Sequence, residues 1–446
     1  MTRSIVAVVG RPNVGKSTLF NRLVGERLAI VEDLPGTTRD RLYATTEWRG
    51  REFSLVDTGG LEGTPTARMS RAAVVPDMEA AVRRQAEVAI DEADVVLFVV
   101  DAKAGVLPVE HEVADRLRRS RKAAIVVANK VDGWRSEAQS AEFYELGLGD
   151  PAPVSALQGT GTGDLLDRVV ELLPPETSGE VVGDARIAIV GRPNVGKSSF
   201  LNSLTGDERA VVSETPGTTR DPIDTLIERD GKRVLLIDTA GIRRRGRVEE
   251  GIEKYALLRT VHALERADVA ILLVDATEGI VDQDMHVAGY AIEAGVGLVL
   301  AVNKWDAVDR GADTTARFEA DIARELHFAP WMPHHFTSAK NGRNVEPTLA
   351  DAVGIVATRL RRVSTGDLHA VLTEALAAHP PPTARGKPIR FHHVTQADAR
   401  QPTFVFFVDR PDAVHFSYQR YLENTLRKRF PYPGTPIKLQ FRSAYE

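Results

Sequence analysis

The stretch Gly10-Arg-Pro-Asn-Val-Gly-Lys-Ser17 returns as Gly191-Arg-Pro-Asn-Val-Gly-Lys-Ser198, and no other feature constrains the fold as strongly. Each copy lies between a short apolar run (Ile5 to Val9, Ile187 to Val190) and a helical pattern opening on Ser17-Thr18-Leu19-Phe20 or Ser198-Ser199-Phe200-Leu201. Strand, glycine-rich turn and helix is the setting of a phosphate-binding loop. Gly10, Gly15, Gly191 and Gly196 let the backbone curl so that successive N–H groups converge on a phosphate, helped by the positive end of the following helix. In such a loop Lys16 and Lys197 reach the β and γ oxygens. The hydroxyls of Ser17 and Ser198 face Mg2+, with Thr18 and Ser199 beside them at the nucleotide.

Later motifs repeat in the same order. Lys197 follows Lys16 by 181 residues, Asp238 follows Asp57 by 181, and Asn303 follows Asn129 by 174. The second copy is therefore seven residues shorter between its third and fourth motifs, and duplication of a whole domain explains the pattern. Apolar runs at Ser54 to Val56, Val95 to Val100 and Ala124 to Ala128 alternate with helical stretches, which predicts a mostly parallel sheet covered on both faces.

Thr37-Thr38-Arg39-Asp40 and Thr218-Thr219-Arg220-Asp221 each follow Pro-Gly. A threonine there can give its hydroxyl to Mg2+ and its N–H to a γ-phosphate, ordering the loop only while that phosphate is present. Asp57-Thr-Gly-Gly60 and Asp238-Thr-Ala-Gly241 close apolar strands; the aspartate would hold Mg2+ through water and the final glycine N–H, of Gly60 or Gly241, would meet the γ-phosphate. Asn129-Lys130-Val-Asp132 and Asn303-Lys304-Trp-Asp306 choose the base. A carboxylate accepts from guanine N1–H and the 2-amino group, which adenine cannot match, and paired hydrogen bonds of this kind discriminate by about 10⁴ or more. Ser155-Ala156 and Ser338-Ala339 would add backbone contacts to the guanine oxygen. The expected substrate is GTP. Leu61 and Ile242 stand where many GTPases carry a water-orienting glutamine, so slow intrinsic turnover is expected.

A chain of 446 residues predicts about three domains, and the formal charge of −5 confines any nucleic-acid binding to local patches. Without cysteine there are no disulfides and no cysteine-ligated metal sites, which suits a reducing cytosol. No signal peptide or membrane span is visible. The Pro- and Gly-containing stretch after Leu172 is expected to be a linker, and the repeat stops near Ser364. Beyond it, a helix at about Asp367 to Ala378 is stopped by prolines. Strands are expected at Pro388 to Val394 and Thr403 to Val408, then a helix capped by Asp412 and running to Arg429, then a half-buried strand around Ile437, Leu439 and Phe441. Phe404, Phe406 and Phe407 are all expected in the core, and His334-His335 and His392-His393 are expected to be structural or surface residues rather than metal ligands.

The two loops, the two Pro-Gly-Thr-Thr-Arg-Asp segments, and Pro402-Thr-Phe-Val and Gly434-Thr-Pro-Ile-Lys in the tail together resemble the bacterial tandem GTPase family Der, also called EngA, within the Era-like superfamily. The resemblance covers essentially the whole chain. It implies an α/β architecture of two consecutive P-loop GTPase (G) domains, at 1–171 and 186–362, joined by a linker at 172–185 and followed by a small α+β KH-like domain at 363–446. It also implies a role in maturing the large ribosomal subunit, with nucleotide-dependent docking on rRNA, a cytoplasmic ribosome-associated location, and no DNA partner. No membrane insertion and a monomeric state are expected. Likeness to related GTPases favours Thr38 and Thr219 as the threonines on Mg2+. In potassium-activated GTPases the loop asparagine, here Asn13 or Asn194, helps hold a monovalent cation where an arginine finger would otherwise act. No Gly-x-x-Gly follows Arg385, so RNA contacts are expected from Arg243 to Arg247 and from Arg420, Arg427, Lys428 and Arg429. The rival readings are a nucleotide-stabilised protein-interaction scaffold with little turnover and an ATP-using phosphotransferase.

Overall fold

A computed structural model of the chain describes residues 3–25, 43–58, 83, 86–87, 89–133, 139–175, 183–206, 224–237, 256–309, 311, 313–381, 383–384, 387–397 and 401–444. The first repeat contributes β1 (Ser4–Gly10), α1 (Lys16–Val24), β2 (Tyr43–Trp48), β3 (Arg51–Asp57), β4 (Val95–Asp101), α2 (Pro108–Ser120), β5 (Ala123–Asn129), β6 (Ala152–Pro153) and α3 (Thr162–Leu172). The second contributes β7 (Ala185–Val190), α4 (Lys197–Thr205), β8 (Thr225–Arg229), β9 (Lys232–Ile237), α5 (Ala256–Arg266), β10 (Val269–Asp275), α6 (Asp282–Glu293), β11 (Gly297–Asn303), α7 (Thr314–Glu325), β12 (His334–Phe336) and α8 (Val345–Arg359).

Each repeat builds a six-stranded sheet, in the order β2-β3-β1-β4-β5-β6 and, equivalently, β8-β9-β7-β10-β11-β12. One hairpin in each is antiparallel, β2 with β3 and β8 with β9, and every other pairing is parallel. The central strands explain the order, since Val95 to Val100 on β4 and the whole of β10 are buried. Strands that are apolar on both faces must lie between layers of helices. Phosphate loops leave the carboxyl ends of β1 and β7, which lie between two parallel neighbours in each sheet. Crevices at such strand ends are where open α/β sheets bind ligands.

The tail adds α9 (Thr365–Ala378), the short strands β13 (Thr383–Ala384) and β14 (Lys387–Pro388), then β15 (Phe391–Ala397), β16 (Thr403–Val408), α10 (Phe416–Arg429) and β17 (Lys438–Ser443). β15 and β16 pair antiparallel, β16 and β17 parallel, and α9 and α10 share one core with the sheet through Leu368, Leu372, Phe404, Phe406, Leu422 and Leu426. Three local expectations are corrected. Pro388 belongs to a hairpin with Thr383, so the long strand starts at Phe391. The helix begins at Phe416 with His415 as its cap, whose Nδ1 accepts from the Ser417 N–H at 3.3 Å, while Asp412 lies in a short 3-10 turn. Phe407 is in register with His393 and Arg442, on the opposite face from buried Phe404 and Phe406, and is only half-buried.

The chain packs as two compact units, residues 1–180 with 246–266, and 181–245 with 267–446. In the first unit, wholly buried Glu265 on α5 accepts hydrogen bonds from Tyr43 Oη at 2.6 Å and Ser54 Oγ at 2.5 Å, so helix α5 is tied to β2 and β3. In the second unit the turn at Gly434 docks the tail on the second sheet. The Leu298 N–H donates to Gly434 O at 2.7 Å, and the Gly434 N–H donates to Trp331 O at 2.8 Å. Gly434 has φ +61, and a Cβ there would lie 2.1 Å from Ile355 Cδ1. Arg427 completes this joint, stacking 4.9 Å over Trp331 and donating to the Tyr432 and Thr435 carbonyls.

Candidate functional site

Asn129 and Asn303 are struts, one in each repeat. Asn129 Nδ2 donates to Val14 O at 2.8 Å, and its Oδ1 accepts from the Ala156 N–H at 3.0 Å. Asn303 does the same with Val195 O at 2.8 Å and the Ala339 N–H at 2.9 Å. One buried amide thus holds together the phosphate loop, the end of the fifth strand and the Ser-Ala turn. Gly15 and Gly196 make room for it, because a Cβ at either would fall 2.4 or 2.3 Å from the amide nitrogen.

The lysines complete the frame. Lys130 Nζ donates to Asn13 O at 2.7 Å and pairs with Asp101 Oδ2 at 2.6 Å, and Lys304 pairs with Asp275 at 2.5 Å. Asp101 and Asp275 escape motif reading, although the signal was present: each ends the fourth strand, 174 residues apart like the asparagines. Lys16 Nζ donates to Gly10 O at 2.7 Å and Arg11 O at 2.8 Å, and Lys197 Nζ makes the matching bonds to Gly191 O and Arg192 O. These are the carbonyls an ammonium would leave for phosphate oxygens. Asn13 and Asn194 are exposed and adopt φ +66 and +64, a left-handed backbone that asparagine tolerates better than most residues.

Ser17 Oγ donates to Asp57 Oδ2 at 2.6 Å, bringing together a hydroxyl and a carboxylate. Such hard oxygen donors suit Mg2+, which keeps most of its waters and takes one or two protein ligands plus phosphates. Ser198 and Ser199 open α4 in the corresponding place. Thr38, Gly60, Thr219, Asp238 and Gly241 lie outside the described residues, as do Leu61, Ile242 and Arg243 to Arg247.

Asp132 and Asp306 differ in their surroundings. Asp132 Oδ2 pairs with Lys103 Nζ at 2.6 Å and Oδ1 accepts from Ser155 Oγ at 2.9 Å; these bonds, Lys103's first, hold the carboxyl below its ordinary value. Lys103 belongs to none of the repeated motifs, and Thr277 occupies its place in the second repeat, where its hydroxyl donates to Asp275. Asp306 is exposed next to Trp305, which is buried against Phe336 and Phe318. Ser155, Ala156, Ser338 and Ala339 are buried. In the tail, Arg427 is taken up by the Trp331 joint and leaves the expected basic face, whereas Arg420, Lys428 and Arg429 are exposed.

Residues 5–130 and 186–304 match the family described as 50S ribosome-binding GTPase, and 362–442 match the KH-domain-like C-terminal family of EngA bacterial GTPase enzymes. The chain is 51% identical over 448 residues to GTPase Der of Moorella thermoacetica, covering 100% of both chains. The chain belongs to the GTPase Der family. It is 53% identical to GTPase Der of Thermomicrobium roseum, covering 98% of this chain and 95% of that one, and 50% identical to that of Pelotomaculum thermopropionicum, covering 99% of both. Membership in the Der family makes the chain a GTP-hydrolysing enzyme that binds guanine nucleotide, typically with Mg2+. It also fits the observed architecture of two repeated α/β domains and a KH-like tail.

Proposed function

We propose that the chain is a double nucleotide switch acting in maturation of the large ribosomal subunit, where the nucleotide state of its two pockets controls docking on rRNA. The observation that carries this reading is the duplicated strut, Asn129 and Asn303, joining phosphate loop and base reader in each repeat, in a chain whose tail matches the EngA KH-like family. The family description of ribosome binding and the names of the Der relatives support the same partner. Location would be cytoplasmic and ribosome-associated, the chain monomeric, and the units 1–171, 186–362 and 363–446 its functional domains.

In each pocket Lys16 or Lys197 would meet β and γ oxygens, and the loop N–H groups would take charge developing on the transferring phosphoryl group. Ser17, Thr38 and Asp57, and in the second pocket Ser198, Thr219 and Asp238, would hold Mg2+, whose part is to neutralise that charge. Gly60 and Gly241 would sense the γ-phosphate, and Asp132 and Asp306 would select guanine. With Leu61 and Ile242 unable to orient water, a K+ ion held by Asn13 or Asn194 would supply the missing positive charge. Equal turnover in sodium and potassium buffers would remove that ion from the account, leaving the asparagines their backbone role. Sedimentation with ribosomal subunits tests the whole proposal. More protein should pellet with the large subunit in a non-hydrolysable GTP analogue than in GDP, and equal pelleting in both refutes nucleotide control. The scaffold reading predicts binding with no measurable GTP turnover.

A further inference from the structure

We infer that Glu110 and Asp284 are positioning residues that set the nucleotide affinity of the two phosphate loops, each acting through the arginine at the loop's second place. Arg11 Nε donates to Glu110 Oε1 at 2.8 Å, and Arg192 Nε donates to Asp284 Oδ1 at 2.8 Å. Both carboxylates are fully buried, and both sit in the first turn of the helix after the fourth strand. There each also accepts the N–H that opens that turn, Leu107 at 3.0 Å and Val281 at 3.2 Å. The carbonyls of the same arginines accept from Lys16 and Lys197. The guanidinium therefore anchors, from behind, the peptide whose front faces the phosphate-seeking lysine. None of the nucleotide motifs includes these carboxylates.

The two copies achieve this differently. Asp284 is one methylene shorter than Glu110, and Arg192 gains a second partner, Glu278 Oε2 at 2.9 Å. Glu278 lies three residues after strand-end Asp275; the same place in the first repeat, three residues after Asp101, is held by exposed Ala104. Among the described residues, a long carboxylate fixes the first arginine and a short one with a helper fixes the second.

This rests on the guanine-nucleotide reading, so the experiment uses the full chain and begins by confirming two GDP sites by calorimetry in Mg2+; failure there sinks the nucleotide reading itself. Glu110→Asp should weaken GDP at the first pocket about tenfold, the effect of losing one charge-assisted hydrogen bond, and leave the second unchanged. Adding Ala104→Glu should rebuild the arrangement of the second repeat and restore affinity to within about twofold of the parent. Glu278→Ala should weaken only the second pocket. Unchanged affinity in Glu110→Asp, or a loss that Ala104→Glu fails to recover while the melting temperature stays at the parent value, overturns the inference. So does an equal loss at both pockets, which would mark Glu110 as a general stabiliser.

Discussion

Replacing Asn129 by alanine isolates the strut from everything else in the first pocket. The side chain is 2% exposed and makes two hydrogen bonds, to Val14 O at 2.8 Å and from the Ala156 N–H at 3.0 Å. Truncation leaves both backbone groups without this partner. A buried group so orphaned costs about 1–3 kcal/mol, and water entering the opened pocket recovers part of it, so about 2–4 kcal/mol is expected for the pair. Spent on loop geometry, that range weakens GDP binding by about 30- to 700-fold. Calorimetric titration of GDP should then pass from two sites to one at micromolar protein, with the surviving site at its original Kd. Asn303→Ala should give the mirror result, since Asn303 binds Val195 O and the Ala339 N–H in the same way. Two sites of unaltered affinity in Asn129→Ala would show that the loop is held by other means and would refute the reasoning.

Gly434→Ala forces a side chain into a left-handed backbone and against Ile355 Cδ1, and should cost about 2–5 kcal/mol in urea unfolding of the second unit. Adding Ile355→Val should recover part of the loss, and a cost below about 0.5 kcal/mol would mean the joint is loose. Lys103→Ala frees Asp132 from its competing ammonium and should tighten GDP at the first pocket about two- to fivefold, with no change at the second, where Thr277 stands; stopped-flow release of a fluorescent guanine nucleotide measures both. Asp409 accepts the Arg390 N–H at 2.9 Å, which first of all holds its carboxyl below the ordinary 3.8. Its stabilising effect is therefore complete above about pH 4 and fades as the pH falls through the lower folded-state value. Asp409→Asn should flatten that part of the acid-unfolding profile, and an unchanged slope would place the acid sensitivity elsewhere.

Sequence alone determined the duplicated sheets, both phosphate loops and the choice of guanine, because each rests on short motifs that return in the same order in the second repeat. Continuous apolar runs such as Val95 to Val100 announce a central parallel strand without any knowledge of its neighbours. Tertiary structure decided whatever depends on partners distant in the chain. Phe404, Phe406 and Phe407 are equally apolar, and only the pairing of β16 with β15 and β17 turns Phe407 to the other face. Arg427 looks like one more charge in a basic run until Trp331, 96 positions earlier, is found beneath it. The buried carboxylates behind the loops follow the same logic. Glu110 and Asp284 differ in side-chain length and belong to no nucleotide motif, and only the packing of α2 and α6 against the loops shows that they answer Arg11 and Arg192. A motif records what a residue does to a ligand, whereas burial of charge is satisfied by whichever group the fold brings within about 3 Å.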